Sequence, residues 1–426
     1  MSRLLLKNGR VMDPAVQKDT IQDLYIADGK ILDNPEHFTA DQTIDCTNKI
    51  VCPGFIDTCA RLLPAHQENE ITLEHESNAA IANGITTLVC PPDNSKALMD
   101  NGITANAMSH YANQVSRAKI LWLGALTEKL AGEQLAPFGS LKAAGCVGLT
   151  HSFAPIKDTS LLRHCFEYAA NFDLPIFIHP QDFWLSQGGV AHEGEVSVRL
   201  GLPGIPALSE TIALTQALLL QEKTGVALHF THLTCGESIT LLERAKQRGQ
   251  HITADVALSH LYLTEWDIDG FNVDCHTTPP LRSIADQEAL LRGIESGIIT
   301  SICSNHTPLG SMAKLAPFPS ATPGISSFDA FLPLLIGLTH KTSLPLLKLL
   351  QLVTQAPAAL LNLSAGTLQA GAPADICIFD DRTSVTLSSE TMHSNGKNSP
   401  FLGWPLQGQV CYTLINGKIA YQSTKS

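Results

Sequence analysis

Short apolar runs rich in β-branched residues recur along most of the chain, at 50–56, 85–90, 120–126, 146–150, 175–178, 226–231, 252–258 and 298–304. Between them lie longer stretches, among them 160–172, 209–223, 237–248 and 285–295, in which apolar positions return with a spacing near 3.6 residues. The first pattern predicts strands and the second amphipathic helices. Eight β-like runs alternating with helical ones predict an α/β fold with a parallel sheet, closed as a (β/α)8 TIM barrel. In such barrels chemistry sits at the C-terminal ends of the strands.

The two ends of the chain read differently. Residues 3–32 are short β runs punctuated by Asn8-Gly9 and Asp28-Gly29, and residues 366–421 contain Ala374-Asp375-Ile-Cys-Ile-Phe and Tyr412-Thr-Leu-Ile-Asn416-Gly417. Turn dipeptides between β-branched runs are hairpin signals. The pattern predicts one small β-sandwich built from 1–52 plus 364–426, beside a barrel spanning 53–363.

The length of 426 residues suits a barrel with one accessory unit. A net charge of -12 with no basic run argues against nucleic acid or an anionic membrane as partner. The opening Met-Ser-Arg-Leu-Leu-Leu-Lys-Asn-Gly is too short an apolar stretch for a signal peptide, and the later apolar runs are broken by charge or proline, so a cytoplasmic location is expected. The 11 cysteines are scattered without a CxxC and read as buried free thiols.

Candidate chemistry lies just past the runs: Cys59 after the first, Asp93 after the second, His151 after the fourth, His179 after the fifth, His232 after the sixth, His260 after the seventh and Asn305-His306 after the eighth. A lone histidine there is more often a hydrogen-bonded core or loop residue than a ligand. Several at one rim point to a metal centre in the ancestry of the chain. Yet Cys59 and Arg61, two residues apart and so on one side of an extended strand, are poor ligands as a pair. Arginine has no lone pair for a cation, and its charge repels one.

Over nearly its whole length the chain resembles the dihydroorotases of the cyclic amidohydrolase family. The resemblance rests on Pro53-Gly-Phe-Ile-Asp57, the His179 and His232 strand ends, Pro279-Pro-Leu-Arg282, Pro323-Gly-Ile and Gly366-Thr-Leu-x-x-Gly-x-x-Ala-Asp375, taken in order. It implies a metal-dependent amidohydrolase barrel in which one or two zinc ions polarise a carbonyl and activate water while carbamoyl aspartate and dihydroorotate interconvert. Against that pattern the losses are systematic. The family's His-x-His is Cys59 and Arg61, its substrate-gripping Arg is Leu63, and its partner Asn is Asp93. The bridging acid or carboxylated lysine falls in Thr150-His151-Ser152, and the general-base Asp is Asn305, whose amide cannot accept a proton as a carboxylate does.

Gly124-Ala-Leu-Thr, Gly132-Glu-Gln-Leu, Ala191-His-Glu-Gly, Leu200-Gly-Leu-Pro-Gly-Ile-Pro206, Thr253-Ala-Asp-Val-Ala-Leu258 and Ala313-Lys-Leu-Ala-Pro-Phe318 look most like a subgroup of catalytically silent dihydroorotase-like subunits. Those subunits assemble with the aspartate transcarbamoylase catalytic chain. The resemblance therefore implies a pseudoenzyme of pyrimidine biosynthesis in a mixed oligomer, with self-association also open, no catalytic residues and no cofactor. His179 and His232 are then vestigial, since two ligands alone hold zinc weakly. The alternatives are an active dihydroorotase or a cyclic amidohydrolase of changed specificity, using zinc at a remodelled site of Cys59, His151, His179 and His232. Against that site stand the shortness of Cys59, the charge of Arg61 and the lack of a carboxylate to neutralise the metal. Asp57 reads as an organiser of the first strand, His192 and Glu193 as loop residues, and the loops 201–206 and 314–323 as the candidate partner surfaces.

Overall fold

Eight parallel strands form a nearly closed barrel in this computed structural model, which describes residues 3–35, 37–62, 71–93 and 97–424. In chain order they are Phe55–Asp57, Ile85–Cys90, Lys119–Ala125, Gly148–Thr150, Ile176–Ile178, Leu228–Phe230, Ile252–Ala257 and Ser301–Cys303, each paired with the next. The first and eighth meet through a parallel bridge between Ala60 and His306, where the Arg61 N–H donates to the His306 carbonyl at 2.8 Å. The strands are buried on both faces, as parallel barrel strands must be.

Helices Thr159–Ala170, Leu208–Thr224, Gly236–Gln247 and Ile284–Glu295 lie within two residues of their expected bounds. Their starts are specified locally. Asp158 and Ser283 accept N–H groups of the first turn, and the buried Glu210 carboxylate serves Gly236–Gln247 by accepting from Thr234 N, Cys235 N and Ser238 Oγ.

The run 50–56 is not one barrel strand as expected; it divides at Gly54. Ile50–Pro53 joins the terminal sheet, antiparallel to Ile376–Thr386 and parallel to Arg3–Asp13, and only Phe55–Asp57 enters the barrel. Only glycine fits at the break, since a Cβ at Gly54 would stand 2.3 Å from Thr86 Cγ2. The terminal sheet has eight strands among the described residues and encloses a core of Leu6, Val11, Leu24, Ile26, Val51, Ile376 and Leu414. Asp28-Gly29 and Asn416-Gly417 turn hairpins through left-handed backbone, as expected. Asn8-Gly9 does not. It forms a bulge within the long strand Arg3–Asp13, with Asn8 at φ 59° and the register shifting between Leu6 and Gly9.

All 11 cysteines are free and buried. Among the described residues no helix is long and apolar enough to cross a membrane.

Candidate functional site

Three strand ends close on left-handed, non-glycine backbone: Ser152 at φ 54°, His232 at φ 55° and Asn305 at φ 47°. Such conformations are uncommon outside glycine and persist where surrounding contacts hold them. His232 N donates to Asp255 Oδ1 at 2.7 Å, while Ser152 and Asn305 are both held by Arg61. Its Nε and Nη2 donate to Asp93 Oδ2 at 3.0 and 2.9 Å, Nη2 to Ser152 Oγ at 3.1 Å, and Nη1 to Asn305 Oδ1 at 3.3 Å and Cys59 Sγ at 3.7 Å. The guanidinium carbon lies 4.2 Å from the centroid of the Phe153 ring. Burial opposes the charge on Arg61, but Asp93 and Cys59 together outweigh it and the guanidinium stays protonated. Two substitutions that the sequence presents as separate defects are thus one ion pair, with side-chain exposures of 13% and 26%.

Phe153 also fills the space over the histidines, its ring 5.1 Å from that of His179 and 5.3 Å from that of His232. His151 and His179 have both ring nitrogens occupied, His151 by Thr127 Oγ1 and the Ala154 carbonyl, His179 by the Thr231 carbonyl and Gln181 Oε1. His232 has both nitrogens buried and without a partner. Burial, opposed by the charge of Asp255 and reinforced by that of Arg61, pushes His232 down to about 3, so it is neutral at physiological pH. His260 bonds the Pro279 carbonyl and is pushed down to about 4 by burial. His306 accepts from Ser327 N at Nδ1 and donates from Nε2 to the buried Glu76, tying the eighth strand end to helix Leu73–Ala82.

The remodelled set of Cys59, His151, His179 and His232 is not brought together. The one metal-capable group among the described residues is His232, Asp255 and Cys303, with ligand atoms within 4.8 Å of one another. A carboxylate therefore does stand beside His232, contrary to the sequence expectation. It enters from the seventh strand, on Asp255. As arranged, however, these donors do not suit a divalent cation. Asp255 already accepts from His229 Nε2, Thr58 Oγ1, His232 N and the Cys303 thiol. Burial raises Cys303 well above the ordinary thiol range and pushes Cys59 up to about 12, so both are thiols in the metal-free protein. The Arg61 charge adjoins Cys59. Among the described residues, two cavities at this rim hold about 20 Å³ beside Arg61, Asp93 and Trp122, and about 40 Å³ beside His151 and His179.

With this geometry the chain can be set beside known proteins. Residues 50–420 match the model of the amidohydrolase family. A dihydroorotase-like protein of Pseudomonas aeruginosa is 39% identical over 98% of this chain and 99% of its own. The chain belongs to the amidohydrolase family, among its dihydroorotases and dihydroorotase-like members. A dihydroorotase of Syntrophotalea carbinolica is 36% identical over 99% of both chains. Among solved structures, the L-hydantoinase (dihydropyrimidinase) of Arthrobacter aurescens aligns with a TM-score of 0.86 at 22% identity, covering 98% of this chain and 96% of its own, which shows the shared fold.

In this dihydroorotase-like amidohydrolase, Cys59, Arg61, Asp93 and Asn305 do meet at one point, while Leu63 lies outside the described residues. Asp57 turns inward, accepting from Ser304 N at 2.9 Å, Cys59 N at 3.3 Å and Ser304 Oγ. His192 contacts the buried Arg282 rather than the mouth. Three residues of the site went unread in the sequence, Phe153, Asp255 and Cys303, and Ser152 was read only as part of the lost bridging position. Only Asp255 carried a signal, as an acid inside an apolar strand.

Proposed function

We propose that this chain is a dihydroorotase-like protein without dihydroorotase catalysis, and that it serves as an assembly subunit for aspartate transcarbamoylase in pyrimidine biosynthesis. The observation that carries the first half is the Arg61 guanidinium, paired with Asp93 at the strand ends where the family binds metal and substrate. Small-molecule sites typically offer about 300–1,000 Å³, and the rim cavities of about 20 and 40 Å³ fall far short. A general base is also wanting. Asn305 is an amide, and it already binds Arg61 and the Thr278 carbonyl.

The assembly half is supported by the resemblance to silent subunits and by apolar side chains left in solvent near the same rim. Val198 and Leu208 are exposed on either side of the 201–206 loop, whose own Leu202 and Ile205 turn inward. Met312 and Leu315 are exposed at the 314–323 loop, which Lys314 and Phe318 fasten to Val273 and His276. These exposed apolar side chains are available to a stable contact burying on the order of 1,600 Å².

A second reading, an amidohydrolase with a remodelled metal site, has one observation in its favour: His232, unpartnered, beside Asp255 and Cys303. Two measurements separate the readings. Elemental analysis of protein purified without chelator should find no stoichiometric zinc, and about one equivalent would support the second reading. Co-expression with the cognate transcarbamoylase should yield one mixed oligomer on size exclusion. Separate elution, with the transcarbamoylase active alone, sinks the assembly role.

A further inference from the structure

A bound metal would tie several strand ends together, and here a side chain stands in a position to do the same. The Arg61 fork reaches from the first strand to Asp93 beyond the second, Ser152 beyond the fourth and Asn305 beyond the eighth, with Phe153 against its face. Its seat is built for a planar cation. Asp93 Oδ2 receives two of its N–H groups together with the Ser152 hydroxyl. The Asn305 amide is oriented by donation of Nδ2 to the Thr278 carbonyl at 3.0 Å, which turns Oδ1 toward Arg61. A guanidinium offers five donors in fixed directions and an apolar face for stacking, whereas an ammonium offers neither.

We propose that the Arg61 guanidinium is the resident cation of this barrel, an organic ion that cross-links the strand ends, and that its seat binds free guanidinium once the side chain is removed. The proposal rests on the reading of a non-catalytic mouth, but its test reads stability and so can fail by itself.

The test is thermal unfolding of the purified full chain and its variants near neutral pH. Chelator should leave the wild-type Tm unchanged. Arg61→Ala should lower it by roughly 3–6 °C, because Asp93 is left uncompensated in a chain of this length. Guanidinium chloride at about 20 mM should return at least half of that loss, measured against wild type in the same solution, through binding to the folded state alone. Sodium chloride should not, and neither should guanidinium in Arg61→Ala/Asp93→Asn. Arg61→Lys, which keeps the charge without the fork, should lower the Tm by roughly 2 °C or more, and that loss decides the matter if the alanine variant does not fold. The proposal is overturned by an Arg61→Ala variant as stable as wild type, by a loss that guanidinium does not restore or that sodium restores equally, by Arg61→Lys with wild-type Tm, or by a Tm that falls with chelator.

Discussion

Asp57 offers a quantitative test of how dry the floor of this barrel is. Its carboxyl is wholly buried, and burial outweighs the hydrogen bonds from Ser304 and Cys59, pushing it up from an ordinary 3.8 to about 7. The sign follows from linkage. A group whose folded pKa is raised is protonated in both states below about pH 4, so folding then bears no penalty. As pH rises toward 7 the unfolded chain ionises while the folded one resists, and stability falls by about 1.4 kcal/mol per pH unit, about 4 kcal/mol in all. Asp57→Asn keeps the geometry: its Oδ1 can accept the two N–H groups and its Nδ2 can donate to the Ser304 hydroxyl. The difference in unfolding free energy between the variant and wild type, from urea titrations at pH 5, 6, 7 and 8, should therefore swing in favour of the variant. The expected swing between pH 5 and 8 is roughly 2–3 kcal/mol, since part of the penalty has already developed at pH 5. Other titrating groups largely cancel in the difference. A difference that stays flat across that range would show Asp57 ionising near its ordinary value, and the argument from burial would be wrong.

Phe153→Ala should uncover the histidines beneath it, costing about 2 kcal/mol of stability for a half-buried ring and raising the reactivity of His179 and His232 toward an imidazole-modifying reagent; unchanged reactivity would deny Phe153 its covering role. Glu76→Ala should cost about 3–5 kcal/mol, because it strands buried His306 and Ser394. The same carboxylate is lowered below its ordinary range because its hydrogen bonds from His306 and its neighbours outweigh burial, so the stability it supplies is present above that range and lost as pH falls through its folded pKa; an acid-side transition unchanged in Glu76→Ala would contradict this. Cys59→His/Arg61→His should not regain dihydroorotase turnover, since Asn305 would still lack a basic lone pair and residues acting as a unit are not additive. Substantial activity in that double variant would mean the site had decayed far less than its geometry implies.

The architecture was legible because its signals are local. Eight short apolar runs and the 3.6-residue helices between them each declare themselves within a window of a few residues, and Asp28-Gly29 and Asn416-Gly417 specify their turns alone. Gly54 was missed because its role depends on Thr86 of the adjacent second strand, 32 residues on, and Asn8-Gly9 because a bulge and a hairpin use the same dipeptide. The site divides along the same line. Its degenerate positions could be read one by one against the family pattern. Their mutual compensation could not, since Arg61 and Asp93 lie 32 residues apart and Arg61 and Asn305 244 apart. Asp255 shows the converse: the carboxylate that the rim lacked in sequence comes from inside the seventh strand, four of its hydrogen bonds already made.

The central claim is that a guanidinium paired with Asp93 has taken over the catalytic mouth. It is tested most directly by dihydroorotase turnover of the purified chain with zinc supplied, alone and together with its transcarbamoylase, in both reaction directions. The account predicts no turnover above the uncatalysed background in any of these conditions. Turnover that zinc supports and a chelator abolishes would contradict it.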